Sequence, residues 1–283
     1  MPAEVPARKT ISTPLGDGTL NARDFNAASA YGPPIRVLPD VHVLKIGGQS
    51  IFDRGKAAVW PLVEEIATCA KQHQIILGMG GGTRSRHAYS VGLELGLPTG
   101  IIAAIGNSTS LQNARMMQML MAKHGGILVN FEEFEKLQIY IRNGGIPILV
   151  GMPPFHQWER PPETGRIPAN RTDAGVYLMA EFLGAKSCIF VKDEDGLYSD
   201  DPKKHPNATF IPKISTRALR DMDPNDLAIE RVVLDYMERA AHMRHVQIIN
   251  GLKRGYLTRA LDGEHVGTVI SADPHACGML SEG

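Results

Sequence analysis

The strongest constraint on the fold is a series of short, almost uninterrupted apolar runs that recur from residue 41 onward. Such runs are typical of strands covered on both faces, whereas strands with one solvated face alternate apolar and polar residues. Six of the runs predict strands, over residues 41–46, 74–79, 146–151, 187–191, 246–250 and 266–270.

The segments between these runs carry helical patterns. Apolar residues within 59–66 recur at the i, i+3, i+4, i+7 spacing of one helix face. We expect Thr172 to cap a helix that runs to about Leu183, and Asp226 to begin a longer helix that ends near His242. Strands that alternate with helices in this way predict an α/β fold with a mainly parallel sheet between helices.

Composition narrows the classes of partner. The chain has 283 residues, with 30 basic and 30 acidic side chains and 43% hydrophobic residues. This composition suits a folded core, and the zero net charge removes any global electrostatic case for binding nucleic acid or an anionic membrane. An anionic ligand must therefore be held by a local site.

Cysteine usage and hydropathy indicate the compartment. Cys69, Cys188 and Cys277 show no metal-binding or paired spacing, which favours a reducing environment. No apolar run suits a membrane span, and the N-terminus lacks the apolar stretch of a secretory signal. We expect a cytoplasmic protein.

Prolines mark two irregular regions. Of the 19 prolines, six lie in residues 1–39 and five in residues 151–170. Residues 1–39 predict an arm that packs on a neighbouring subunit, with a disordered tail as the alternative.

Two glycine-rich turns follow the first two predicted strands. Residues 44–50 place Lys45 beside two glycines, and the three glycines at 80–82 precede Arg84 and Arg86. Glycines let backbone N–H groups approach an anion, and open α/β sheets bind ligands where their strands end. An ordinary turn and a flexible loop with solvated arginines are the respective alternatives.

Two later segments also carry chemistry. In residues 171–175 the pair Thr172-Asp173 opens a predicted helix, where either side chain can be only an N-cap. Residues 192–202 combine acids, a lysine and Tyr198 after a strand. Their oxygen ligands suit Mg²⁺ beside phosphates, and the tyrosine can cover a flat base, although a polar hairpin explains them too.

Taken in this order, the four segments resemble the amino acid kinase superfamily, and most closely its uridylate-kinase-like branch. The resemblance covers residues 40–271, leaves a tail over 272–283, and implies a three-layer αβα sandwich around a mainly parallel eight-stranded sheet. It places ATP on the C-terminal half and the acceptor on the N-terminal half. The residues that carry it are LKIGG at 44–48, the glycines at 80–82, Thr172-Asp173-Ala174, the DGLYxxDP core within 192–202 and GEHVGT at 263–268.

The resemblance implies roles for individual residues. Lys45 and Asp173 are the catalytic candidates, with Asp173 orienting lysines or Mg²⁺. The implied contacts to the ATP phosphates are Lys45, Gly47 and Gly48. Gly81 and Gly82 are implied to face the transferred phosphate or the acceptor. The residues implied to frame the nucleotide are Lys192, Asp195, Tyr198 and Pro202, with Lys213 as a further candidate.

The proline-rich segment 151–170 departs from uridylate kinases, which have a short connection there. Together with the long N-terminal region, Arg84-Ser85-Arg86-His87 and residues 167–175, it resembles the molybdenum storage protein family, on the side of its β-type subunits. That resemblance implies a hexameric cage with an α-type subunit, a homo-hexamer being the alternative. Such a cage binds Mg-ATP and deposits molybdate or tungstate as polyoxometalate clusters.

The oxometalate-contact candidates in this chain are Arg84, His87 and His156. The histidine-rich run of the α-type chain is absent, and only His156 remains at that place. Two function hypotheses follow, a storage subunit and a nucleoside-monophosphate kinase that phosphorylates UMP. In the storage subunit, ATP is either hydrolysed during oxometalate deposition or held only as a scaffold element. We expect residues 151–170 to crowd a UMP pocket, which favours storage.

Overall fold

The computed structural model of the chain describes residue 20, residues 34–160 and residues 166–273. Most of the predicted arm over 1–39 and of the tail over 272–283 lies outside the described residues. The strands are β1 Val41–Ile46, β2 Gln74–Met79, β3 Gly126–Leu128, β4 Ile146–Val150, β5 Ser187–Lys192, β6 Leu197–Tyr198, β7 Phe210–Ile211, β8 Lys213–Ser215, β9 His245–Asn250 and β10 Thr268–Ser271. The helices are α1 Lys56–Cys69, α2 Thr83–Glu94, α3 Thr99–Met121, α4 Leu137–Arg142, α5 Thr172–Leu183, α6 Thr216–Met222, α7 Arg231–Arg239 and α8 Tyr256–Leu261.

One eight-stranded sheet organises the fold. Its strand order is β3-β4-β2-β1-β5-β9-β10-β8, and every neighbouring pair is parallel except β9 and β10. Strands β6 and β7 pair separately and antiparallel. The mainly parallel eight-stranded sheet expected from the resemblance is confirmed.

Helices cover both faces of the sheet and form two apolar cores. On one face α4, α5, α6 and α7 pack against alternate strand residues that include Val43 and Phe190. On the other face α1, α3 and α8 pack against the intervening residues, including Leu44 and Val191. Since side chains alternate along a strand, each buried strand supplies both cores. No helix among the described residues is long and apolar enough to cross a membrane.

The six apolar runs all form strands of the main sheet, with ends displaced by at most two residues. The two strands that the runs did not predict, β3 and β8, are the edge strands, and each has only three residues. An edge strand has fewer neighbours to bury it, so it has no need of a long apolar run.

Two predictions about helix starts were wrong. Helix α7 begins at Arg231 and not at Asp226, because Glu230 keeps an extended backbone and serves as its N-cap residue. Helix α5 spans Thr172–Leu183 as expected, but Thr172 is its first residue and makes no side-chain cap. The N-terminal N–H groups of α5 bond instead to the Glu230 carboxylate.

The proline-rich segment lies along the corner between α2 and α3. Its 3-10 turn, His156–Trp158, packs on α3, where a side-chain carbon on Gly100 would come within 2.5 Å of the Gln157 carbonyl oxygen. Farther along, Arg166 Nη2 donates to the Leu93 carbonyl oxygen at 3.0 Å. Residues 161–165 of this segment lie outside the described residues.

Candidate functional site

Two lysines from neighbouring strands converge on one carboxylate. Lys45 ends the row of β1 side chains that faces α5, and Lys192 ends the corresponding row of β5. Both reach Asp173 in the first turn of α5, with Lys45 Nζ 2.7 Å from Oδ1 and Lys192 Nζ 3.0 Å from Oδ2. The side chains are only 7%, 14% and 6% exposed for Lys45, Lys192 and Asp173. This group is called the lysine–aspartate triad below.

The electrostatics of the triad leave an excess of positive charge. Burial raises the pKa of Asp173, but Lys192 and Lys45 outweigh burial and hold that pKa well below its usual range. Burial lowers the pKa of Lys192 to about 8, aided by the positive charge of Lys45 and opposed by Asp173. With both lysines protonated, the triad carries a net charge of one positive unit, which suits a phosphate or another oxyanion.

A second carboxylate organises the same turn. Glu230 accepts hydrogen bonds from the backbone N–H groups of Arg171 at 2.9 Å, Asp173 at 3.0 Å and Ala174 at 3.0 Å. Burial and the nearby charge of Asp173 raise the pKa of Glu230, and Arg171 opposes them. The positive end of α5 is therefore occupied by a side chain of the protein itself.

The two glycine turns meet beside the triad, backbone against backbone. A side-chain carbon on Gly48 would lie 2.2 Å from the Gly82 nitrogen, so no other residue fits there without displacing the turn. The N–H groups of Gly48, Gly81 and Gly82 donate to no other group among the described residues, whereas Gly47 N–H donates to the Val191 carbonyl oxygen. Free N–H groups on opposed glycine turns form a cradle that accepts anionic oxygen atoms.

The triad and the glycine turns line one cleft of about 400 Å³. One wall consists of residues from α2 and from the start of α5, including Ser85, Arg86, Tyr89 and Arg171. Burial raises the pKa of Tyr89 to about 12, so this hydroxyl keeps its proton and can donate a hydrogen bond.

Another part of the cleft lining is the segment that follows β5. Asp193 accepts a 2.6 Å bond from Arg54 Nη2 and a 2.9 Å bond from Lys203 Nζ. The bond to Lys203 joins the two ends of this segment. Tyr198 packs edge-on against Phe210 at a ring separation of 5.5 Å. Tyr198 and Pro202 both line the cleft, as a nucleotide-framing role requires.

Several residues singled out from the sequence lie elsewhere. Asp195 bonds to Asn250 and to Lys253 Nζ at 2.7 Å, so it anchors the β5 segment to the end of β9 and does not line the cleft. Lys213 is exposed on the edge strand β8. Neither position contacts the triad.

The three oxometalate-contact candidates also lie outside the cleft lining. Arg84 donates to Gln112 Oε1 at 2.9 Å and to Asn113 Oδ1, both on α3, and His87 is exposed on α2. His156 is buried on the 156–158 turn, with Nδ1 3.0 Å from the Pro153 carbonyl oxygen. These side chains belong to elements that pack on one another around α3.

The described part of segment 151–170 does not line this cleft, and the expectation that the segment crowds a UMP pocket stays a prediction. Gln157 instead lies against Gly100 of α3, and Arg166 donates to the Leu93 carbonyl oxygen of α2. The segment joins the site indirectly, since Glu159 accepts a 2.7 Å bond from Asn170 Nδ2, next to Arg171.

Sequence reasoning missed Glu230, Tyr89 and Arg171 as site residues. Arg171 stands next to the Thr172-Asp173 pair, which is a usable signal. Glu230 lies 57 residues after Asp173 and carries no local motif, so only the packing of α7 near α5 reveals it.

Comparison with known proteins shows the family of the chain. Residues 40–250 match the Amino acid kinase family, and the chain therefore belongs to that family. Molybdenum storage protein subunit beta of Azotobacter vinelandii is 48% identical over 254 residues, which cover 90% of this chain and 94% of that protein. Within the family, the chain groups with this storage protein.

Uridylate kinases are more distant relatives. The uridylate kinase of Metallosphaera sedula is 27% identical over 236 residues, 81% of this chain and 97% of that enzyme. The crystal structure of uridylate kinase from Archaeoglobus fulgidus matches with a TM-score of 0.63 and 25% identity, over 81% of this chain and 99% of that chain.

Proposed function

We propose that this chain is an ATP-binding subunit of an assembly that stores molybdenum or tungsten as polyoxometalate clusters. The observation that carries the proposal is the 48% identity to a molybdenum storage protein subunit over almost the whole of both chains. Identity to a uridylate kinase is 27%, so UMP phosphorylation is the less supported function.

The cleft supports nucleotide binding at this subunit. The net positive triad and the free N–H groups of Gly48, Gly81 and Gly82 suit the phosphates of ATP, while Tyr198 and Pro202 suit its nucleoside end. In this arrangement Lys45 and Lys192 bind phosphate oxygens and Asp173 orients both lysines.

Magnesium fits as a companion of the nucleotide and not as a resident ion. Among the described residues, no cluster of three or more His, Cys, Asp or Glu side chains could hold a metal ion. The buried acids of the site are engaged, Asp173 by two lysines and Glu230 by three backbone N–H groups. Asp193 in the cleft lining is paired with Arg54 and Lys203. Mg²⁺ commonly binds through substrate phosphates, waters and few carboxylates, so here it would be held mainly by the ATP phosphates and would offset their charge.

The oxometalate would be bound as the cargo near His156, Arg84 and His87. A carbonyl oxygen can only accept, so the contact of His156 with Pro153 places the proton on Nδ1 and leaves Nε2 as the basic nitrogen. An imidazole fixed in this way can bind a metal centre or carry a proton, and condensation of oxometalates consumes protons.

The assembly is proposed to contain an α-type partner subunit, because the relative is a beta subunit, and to be a hexamer, as the family resemblance implies. The two described cysteines, Cys69 and Cys188, are buried free thiols, which supports a reducing compartment such as the cytoplasm.

Metal retention tests the proposal directly. Purified chain, alone and with its partner subunit, is incubated with Mg-ATP and molybdate or tungstate, desalted and assayed for metal. We expect many metal atoms per chain with ATP and few without it. Retention at the level of single-site binding would contradict storage, and rapid formation of UDP from UMP would support a kinase instead.

The Asp173→Asn variant separates the two roles of ATP. If hydrolysis at this subunit accompanies deposition, this variant stores less metal even when it is folded and saturated with ATP, while the Asp235→Asn variant, which breaks an exposed pair with Arg220 outside the cleft, stores as much as the wild type. Normal storage by Asp173→Asn would assign ATP a supporting role only.

A further inference from the structure

We infer that Glu230 is a positioning residue of the cleft, and that it fixes the first turn of α5 so that Asp173 receives both Lys45 and Lys192. The inference deepens the proposed function, and it rests on ATP binding for only one of its readouts.

The contacts that carry this inference are made by both oxygens of one buried carboxylate. Oε2 accepts from the N–H groups of Arg171 and Ala174, and Oε1 accepts from the N–H group of Asp173. Glu230 is 7% exposed. A helix leaves its first N–H groups without intrahelical partners, and here the carboxylate of a residue outside the helix accepts their hydrogen bonds.

The local sequence offers no substitute for this contact. Arg171, the N-cap residue of α5, has no side chain that can accept, and Thr172 makes no cap bond. Helix α6 shows the usual local solution, in which the N-cap residue Ser215 accepts from the Ala218 N–H group. In α5 the cap comes from the N-cap residue of α7 instead, which ties two elements of the cleft wall together.

The geometry of the triad depends on this tie. Asp173 is the second residue of α5, and its backbone N–H is one of the three groups that Glu230 holds. If this turn frays, the Asp173 carboxylate loses its fixed position between two lysines that come from separate strands. Both lysines then lose the partner that directs them toward a phosphate.

Glu181 supplies a matched control. Its carboxylate accepts from the consecutive backbone N–H groups of Ala241, His242 and Met243, but it lies near the far end of α5 and does not line the cleft. Glu181→Gln and Glu230→Gln therefore remove the same kind of contact, one away from the triad and one beside it.

The first experiment measures lysine reactivity without nucleotide. Wild type, Glu230→Gln and Glu181→Gln are labelled with an acylating reagent, and the modified lysines are quantified by mass spectrometry. We expect several-fold faster modification of Lys45 and Lys192 in Glu230→Gln, and wild-type rates in Glu181→Gln. Equal rates at both lysines in all three proteins would overturn the inference, whether or not the chain binds ATP.

The second experiment measures Mg-ATP affinity by calorimetric titration. Glu230→Gln should bind about tenfold more weakly, which corresponds to about 1.4 kcal/mol, and Glu181→Gln should bind as the wild type does. Since Glu230 acts through Asp173, its replacement in an Asp173→Asn background should cost nothing further. A full tenfold loss in that background would refute the positioning role.

Hydrogen exchange of the wild type keeps the inference testable if Glu230→Gln does not fold. The amides of Asp173 and Ala174 should exchange as slowly as those in the middle of α5, although first-turn amides of a helix normally exchange fast. Fast exchange at these two amides would show that Glu230 does not hold the turn. A wild type that passes these tests but binds no Mg-ATP would contradict the proposed function alone.

Discussion

Replacement of Asp173 by asparagine removes the carboxylate that receives both Lys45 and Lys192 while preserving the size of the side chain. The two lysine nitrogens lie 2.7 Å and 3.0 Å from its oxygens, and all three side chains are nearly inaccessible to water. Loss of one partner from a buried ion pair typically costs about 3–5 kcal/mol, because the remaining charge is left uncompensated. That is a large share of the roughly 5–15 kcal/mol by which domains are stable.

We therefore expect Asp173→Asn to lower the free energy of unfolding by about 4 kcal/mol, and the melting temperature by about 10 °C, at pH 7 without nucleotide. Differential scanning calorimetry and urea unfolding measure both quantities. The control is Asp195→Asn, which breaks a 2.7 Å pair with Lys253 that is partly exposed. Exposed pairs contribute about 1 kcal/mol or less.

The reasoning would be refuted by a loss in Asp173→Asn that does not exceed the loss in Asp195→Asn. Such a result would mean that water or a bound anion screens the two lysines, and that the triad is not desolvated. Repeating the measurement in chloride and in phosphate buffers distinguishes the two causes, because phosphate alone should restore stability if an anion replaces the carboxylate.

Three further predictions concern pH and backbone space. Burial lowers the pKa of His42 to about 4 from 6.5, so between these pH values the folded chain binds fewer protons than the unfolded chain. The free energy of unfolding should therefore fall by about 2–3 kcal/mol from pH 6.5 to 4. Urea unfolding should show that His42→Gln removes this pH dependence and that His245→Gln keeps it. Bound phosphate favours the charged form of Lys192, whose pKa is about 8, so Mg-ATP affinity measured by titration should fall about tenfold from pH 7 to 9. An affinity that stays constant over this range would contradict a phosphate contact of Lys192. Gly48→Ala should weaken Mg-ATP binding strongly, because its new carbon would lie 2.2 Å from a backbone nitrogen of the opposite turn, whereas Gly92→Ala, whose carbon meets nothing closer than 3.4 Å, should bind normally.

The interior of the sheet could be predicted from the sequence, because strands such as Val41–Ile46 are buried on both faces and carry apolar residues that do not alternate strictly with polar ones. The edge strands could not, since Gly126–Leu128 and Lys213–Ser215 are short and only partly buried. Local hydropathy patterns reflect how deeply a strand is buried, and burial is least for the strands at the edges of the sheet.

The site divides in the same way. Lys45, Asp173 and Lys192 stand at the ends of recognisable elements, so their sequence motifs indicate them as candidate site residues. Glu230 could not be found from its own neighbours in sequence, because its role arises from the packing of α7 against α5. Clear chemistry in the sequence also does not place a residue in the cleft: Asp195, which the resemblance implies to frame the nucleotide, anchors a loop and does not line the cleft.

Because side chains alternate along β1 and β5, each strand directs its lysine toward α5 at only one register. Lys45 faces α5 because it follows Val43 by two residues, and Lys192 follows Phe190 in the same way. Deletion of any single residue between Val41 and Lys45 would turn the lysine toward α1 and α3, into apolar packing. Insertions and deletions among homologues should therefore be absent from both strands and occur in the turns beyond them. The positions of alignment gaps would then identify the two strands that carry the lysines.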